Sequence, residues 1–128
     1  MDYVAAAGNV PDLGNLKALR KLDMCNNSLE GPVPESLINM PALQILNMSF
    51  NMFKDTLPVG QSNSSLSIAD FSGNRLTLTN ITLPSVHLLN LSGNNYKGNG
   101  ELLDVKLSNT SAVVDLRGNP FKCAYPGT

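Results

Sequence analysis

Six asparagines stand in the triplet Asn-x-Ser/Thr that accepts an N-linked sugar: Asn26, Asn47, Asn63, Asn80, Asn90 and Asn109, none with proline in the middle. Asp23, Asp70 and Asp115 are potential acid–base groups, His87 is the lone histidine, and Cys25 and Cys123 are the two thiols. These groups do not add up to a catalytic centre. His87, beside Val86 in a strand slot, reads as a surface residue. No cysteine stands at ligand spacing to the other or to His87, so neither a metal nor a cofactor is expected. The aspartates recur at one slot of a repeat, about 10 Å apart on a solvent-facing sheet, too regular for a pair tuned by its surroundings. The segment 94–100 is glycine-rich but lacks the strand-to-helix context of a phosphate cradle; it reads as a turn, with Gly98 in the slot of Gly31. The sequence predicts no enzyme.

What positions these groups is a repeat. Leu19–Pro34 aligns with Leu43–Pro58, so that Leu22 falls on Leu46, Met24 on Met48, Asn27 on Asn51, Leu29 on Phe53 and Pro34 on Pro58. The same slots hold Ala69, Phe71, Asn74 and Leu76, then Leu89, Leu91, Asn94 and Tyr96, then Val114, Leu116, Asn119 and Phe121. Successive key asparagines are 24, 23, 20 and 25 residues apart. A fixed period in this range marks a solenoid.

The pattern has a physical reading. Apolar-x-apolar alternation suits a short strand with one buried face. The next unit lays an equivalent strand alongside in parallel, and the remaining residues of each unit supply the crossover that parallel strands need. The asparagine falls where the chain leaves the strand. Buried there, it can bond backbone groups of its own turn and of the adjacent one. No coil buries its apolar face alone, so stability comes from neighbours.

These motifs resemble leucine-rich repeats. Gly31-Pro32-Val33-Pro34, Leu57-Pro58 and Leu83-Pro84 resemble the G-x-I-P segment of the plant-type extracellular subfamily, which includes receptor-like ectodomains and polygalacturonase-inhibiting proteins. The resemblance covers roughly residues 8–121. It implies an α/β right-handed solenoid, a horseshoe with a parallel concave β-sheet and short helical or extended convex turns. It also implies ligand binding by strand and loop residues. Within the short unit between Asn74 and Asn94, the alternating stretch Thr77–Leu83 is expected to form a second, convex strand.

Residues 1–128 are expected to form a single domain of about five repeats. Gly8-Asn9-Val10-Pro11 matches Gly31-Pro32-Val33-Pro34, so the chain starts in the second half of a repeat; the N-terminal cap usual in the family is missing. The ending LRGNPFKC resembles the opening of a C-terminal cap that is incomplete. A fragment is the expectation. Cys25 and Cys123 lie four strand steps apart, about 19 Å, beyond the roughly 7 Å that a disulfide spans, so they are expected not to bond each other. The resemblance places Cys25 in a serine slot. Cys123 is either unbonded or half of a cap disulfide.

The strand slots that face away from the core form columns. One holds Lys21, Ile45, Ile68, Leu88 and Val113; the next holds Asp23, Asn47, Asp70, Asn90 and Asp115; a third holds Cys25, Ser49, Ser72, Ser92 and Arg117. The acid–amide alternation of the middle column avoids like charges on adjacent strands, and each asparagine is expected to bond both neighbours. The aliphatic stripe of the first column is the candidate partner contact. Asn47 and Asn90 belong to the repeat consensus and Asn26 lies near it, leaving Asn63, Asn80 and Asn109 as the sequons of loops or convex turns.

Composition narrows the partner. Net charge is −1 with both signs dispersed, so neither nucleic acid nor an anionic membrane is expected. No apolar run approaches the ~20 residues of a membrane-spanning helix. Charged residues make up 15%, below the usual quarter, with asparagine, serine and glycine in their place. The expected role is a protein-binding module, extracellular or at the cell surface, with N-linked glycans. The alternatives are a structural subunit of a larger assembly and a cytoplasmic adaptor.

Overall fold

The computed structural model describes residues 7–11, 13, 15–77, 80–95, 104–109 and 111–119. In chain order the elements are β1 (Ala7–Gly8), β2 (Lys21–Asp23), β3 (Ser28–Pro32), α1 (Glu35–Ile38), β4 (Ile45–Asn47) and β5 (Met52–Asp55). They continue with β6 (Ile68–Asp70), β7 (Arg75–Leu76), β8 (Asn80–Thr82), β9 (Leu88–Asn90), β10 (Asp104–Lys106) and β11 (Val113–Asp115). Among the described residues every strand pairing is parallel. The expected solenoid is what forms: β11-β9-β6-β4-β2 make one five-stranded sheet, the concave one, built from the apolar-x-apolar slots.

A second, four-stranded sheet, β1-β3-β5-β7, runs alongside it, built from the residues just past each key asparagine. Its register is offset: Gly31 pairs Phe53 and Asp55 pairs Leu76, although Leu29, Phe53 and Leu76 occupy equivalent slots. Beyond it, β8 pairs β10, so the expected convex strand in Thr77–Leu83 is present at Asn80–Thr82. The described helix is a single turn, where Pro34 in an extended conformation leads into Glu35 and buries Leu37 and Ile38. After it, Asn39 bonds forward to the next coil: its Oδ1 accepts the Gln61 N–H at 2.9 Å.

The interior is a single apolar cluster. Leu22, Met24, Leu46, Met48, Ala69, Phe71, Leu89 and Leu91 point in from the strands. Leu29, Phe53 and Leu76 follow each asparagine, and Val33, Leu37, Ile38, Leu43, Leu57, Leu66, Leu83 and Val86 close the convex side. Complete burial of a Leu, Phe or Met side chain stabilises by roughly 1.5–3 kcal/mol, and each of these depends on the coils to either side for it.

The key asparagines form the expected ladder. Asn51 Nδ2 donates to the carbonyls of Met24, Met48 and Ser49 (2.8, 3.2 and 3.2 Å), and its Oδ1 accepts the Leu29 N–H at 3.1 Å. Asn74 repeats this with Met48, Phe71 and Ser72 and the Phe53 N–H, and Asn94 with Phe71, Leu91 and Ser92 and the Leu76 N–H. The end rungs are simpler. Among the described residues Asn27 bonds only its own turn, at Met24 and Cys25. Asn119 donates to Leu91 and Leu116, while its buried Oδ1 has no partner among the described residues.

Candidate functional site

The parallel register brings the first two expected columns together residue for residue. Lys21, Ile45, Ile68, Leu88 and Val113 are successive partners, as are Asp23, Asn47, Asp70, Asn90 and Asp115. In the first column Lys21 is exposed and Ile68 half-buried, while Ile45, Leu88 and Val113 are 37%, 43% and 56% exposed. Four aliphatic side chains on adjacent strands thus form a continuous stripe on the water side of the sheet.

The middle column behaves differently from expectation. Its amides do not bridge to adjacent strands; each side chain turns back to the residue two positions on. Asn47 Oδ1 accepts the Ser49 N–H and Oγ–H at 3.0 and 2.7 Å, Asp70 Oδ1 those of Ser72 at 2.9 and 2.6 Å, and Asn90 Oδ1 those of Ser92 at 3.0 and 2.7 Å. The N–H that leaves the strand is simply nearer than a neighbour a strand spacing away, and Asx side chains favour this local turn. The third column is corrected for the same reason. Ser49 and Ser72 are buried rather than outward-facing, because their hydroxyls turn to the carboxyl or amide behind them.

At either end of the sheet the middle column holds an aspartate, and the residue two positions on is not serine. Cys25 takes the serine place: Asp23 accepts its N–H at 3.0 Å, and the thiol beside the carboxylate, followed by that N–H, holds the Asp23 acid below its ordinary pKa. Asp115 accepts the Arg117 Nη2 at 2.7 Å and Nε at 3.0 Å. That guanidinium, with the Arg117 N–H, holds the Asp115 carboxyl down at about 2, and the carboxylate raises Arg117 in turn.

Sequons divide by the same geometry. Asn47 and Asn90 share the conformation of Asp70, which cannot carry a sugar, so Asn-x-Ser in this slot comes with the turn. Asn26, Asn63, Asn80 and Asn109 are exposed. Asn80 starts β8, and Asn109 Oδ1 accepts the Ser111 N–H at 2.8 Å. His87 precedes β9 and is exposed; its Nδ1 lies 2.9 Å from Ser67 Oγ, and no carboxylate bonds its other nitrogen among the described residues. Cys123 and the segment 96–100 lie outside the described residues.

Two features were missed from sequence. Phe50 is 60% exposed with φ +55°. Its column contains Asn26, Gly73, Gly93 and Gly118, all with positive φ, so listing one more column would have exposed the anomaly. The second is an open depression of about 510 Å³ beside the end of the stripe, lined by Ser85, His87, Leu88, Ser108, Asn109, Ser111 and Val113. It joins residues from two coils, and only the register reveals it.

A family model described as Leucine Rich Repeat matches residues 18–40, the stretch that holds β2, β3 and the first key asparagine. The chain is a leucine-rich-repeat solenoid. These repeats are 34% identical over 116 residues to Receptor-like protein 54 of Arabidopsis thaliana, covering 88% of this chain and 14% of that protein. Against Receptor-like protein 35 of the same plant the identity is 32% over 85 residues, 64% of this chain and 9% of the relative. The leucine-rich-repeat chain therefore spans a small part of these relatives' length. Among solved structures, the Arabidopsis receptor kinase HAESA ectodomain, crystallised with an N-terminally extended IDA peptide hormone ligand, superposes with a TM-score of 0.62. That match is 28% identical and covers 70% of this chain and 16% of the other. The ectodomain of the Arabidopsis receptor kinase SOBIR1 shares the fold, with a TM-score of 0.60 at 24% identity, over 85% of this chain and 61% of that one. Among the described residues no helix is long and apolar enough to cross a membrane.

Proposed function

We propose that this leucine-rich-repeat chain is a non-enzymatic recognition module of an extracellular or cell-surface protein, and that its partner is a protein or peptide laid across the concave sheet. The observation that carries this reading is the aliphatic stripe Ile45–Ile68–Leu88–Val113, in register over four strands and open to water. Contiguous exposed apolar surface of this kind marks interaction sites. Beside it, the middle column adds carboxylates and amides at a fixed spacing, polar groups that give orientation to a bound backbone. Similarity to receptor-like proteins supports the extracellular placement, and the peptide hormone bound by the HAESA ectodomain supports the partner class.

The test is a phage-displayed peptide library selected against the folded chain. Enriched peptides should lose binding to Ile68→Asp and to the more exposed Ile45→Asp, while far-ultraviolet circular dichroism and the urea midpoint stay close to wild type. Peptides that bind both folded variants as well as the parent would refute a concave site.

A further inference from the structure

The end of the aliphatic stripe has a feature that the rest of it lacks. Ser108 N–H donates to the Val86 carbonyl at 2.9 Å and Val113 N–H to the His87 carbonyl at 2.9 Å, which sets Ser108 and Val113 against the start of β9. Asn109 is exposed and lines the depression together with Leu88 and Val113. Its Oδ1 is held by the Ser111 N–H at 2.8 Å, which fixes the amide plane, and no described residue bonds Nδ2, the nitrogen to which a sugar would be joined. Asn109-Thr110-Ser111 is a complete acceptor triplet.

We propose that Asn109 carries an N-linked glycan whose first N-acetylglucosamine lies in this depression, its C–H face on Leu88 and Val113 and its polar edge toward Ser85, His87 and Ser108. The match is chemical. A pyranose ring has an apolar face and a hydroxylated rim, and the depression's lining combines two aliphatic side chains, Leu88 and Val113, with the hydroxyls of Ser85, Ser108 and Ser111 and the His87 imidazole. The occupant is tethered at Asn109, so seating it costs less entropy than docking a free ligand. Leu88 and Val113, the two most exposed members of the stripe, are then covered by the chain's own sugar, and the surface left for a partner is Lys21, Ile45 and Ile68.

This inference rests on the extracellular reading above, and the experiment separates the two. The chain is secreted from plant cells, trimmed by endoglycosidase to one N-acetylglucosamine per occupied site, and mapped by peptide mass. Methyl NMR then looks for nuclear Overhauser contacts between that sugar and the Leu88 and Val113 methyl groups. Occupancy of Asn109 with those contacts, both lost in Asn109→Gln, is the expected result. An unmodified Asn109 in the secreted protein, or a modified Asn109 whose sugar shows no contact with either methyl-bearing residue, overturns the seat. Peptide binding is read separately, through Ile45→Asp at the end of the stripe that the sugar leaves open, and loss of that binding would leave the sugar contacts standing.

Discussion

Adjacent rungs of the asparagine ladder share acceptors, and this makes a quantitative prediction about double mutants. In Asn74→Ala the Phe53 N–H is left buried without an acceptor, but the carbonyls fare better: Met48 keeps Asn51 at 3.2 Å and Phe71 keeps Asn94 at 2.9 Å. One orphaned buried donor costs roughly 1–3 kcal/mol, and the lost bonds bring the total to about 2–4 kcal/mol. Asn51→Ala orphans the Leu29 N–H in the same way, while Met24 keeps Asn27 at 3.0 Å and Met48 keeps Asn74 at 3.0 Å. In the double mutant the Met48 carbonyl loses both side-chain donors at once. Its desolvation is then uncompensated, so the pair should be worse than the sum of the singles by about 1–2 kcal/mol. Asn51 and Asn94 share no carbonyl, and that pair should be additive within about 0.5 kcal/mol. Urea unfolding in stabilising sulfate, so that every variant starts folded, supplies both coupling energies. Equal coupling in the two pairs would refute the shared-acceptor account.

Gly73→Ala should destabilise more than Gly93→Ala although both have φ +66°, because the new Cβ meets the Phe50 ring at 2.6 Å in one case and nothing closer than 3.5 Å in the other; thermal melts of the two, with and without Phe50→Asn, isolate the clash. Phe50→Asn alone should raise the melting temperature by a few degrees, since asparagine tolerates left-handed backbone that costs other residues about 1–2 kcal/mol; a lowered melting temperature would mean that ring packing on Gly73 outweighs the strain. Asp115, held at about 2 when folded and near 4 when unfolded, stabilises above pH ~4 and loses that contribution as pH falls toward 2. Asp115→Asn should therefore flatten the acid limb of an unfolding profile in that window, and an unchanged limb would count against the Arg117 pair. Cys25→Ser should leave stability within about 0.5 kcal/mol, because Ser49 and Ser72 already perform that role two residues after Asn47 and Asp70.

The strands were legible because their signal is local and repeated. Leu22/Met24, Leu46/Met48 and Leu89/Leu91 declare a buried face by alternation alone, and the asparagine slot fixes the register, which in turn assembles the partner columns. Second-sheet strands at Ser28–Pro32 and Met52–Asp55 were not legible. Of their residues, SLEGP and MFKD, only Phe53 is a strong strand former, and their pairing with an offset register depends on the stacking of coils. The direction of the middle-column side chains was misjudged because cross-strand reasoning ignored a nearer donor in the same chain. The depression that Asn109 lines depends on which loop lies against which strand, a tertiary fact with no trace in the spacing.

The ladder also has a direction in time. Each full rung reaches backward: Asn51 takes its N–H from Leu29 and gives hydrogens to Met24, both in the coil made before it, and Asn74 and Asn94 do the same one coil later. A finished coil thus offers a ready pattern of donor and acceptor, and the next asparagine to be synthesised completes it. The chain can be laid down like courses of masonry as it leaves the ribosome, each course seated on one that is already set. No rung among Asn51, Asn74 and Asn94 waits for a residue that has yet to be translated.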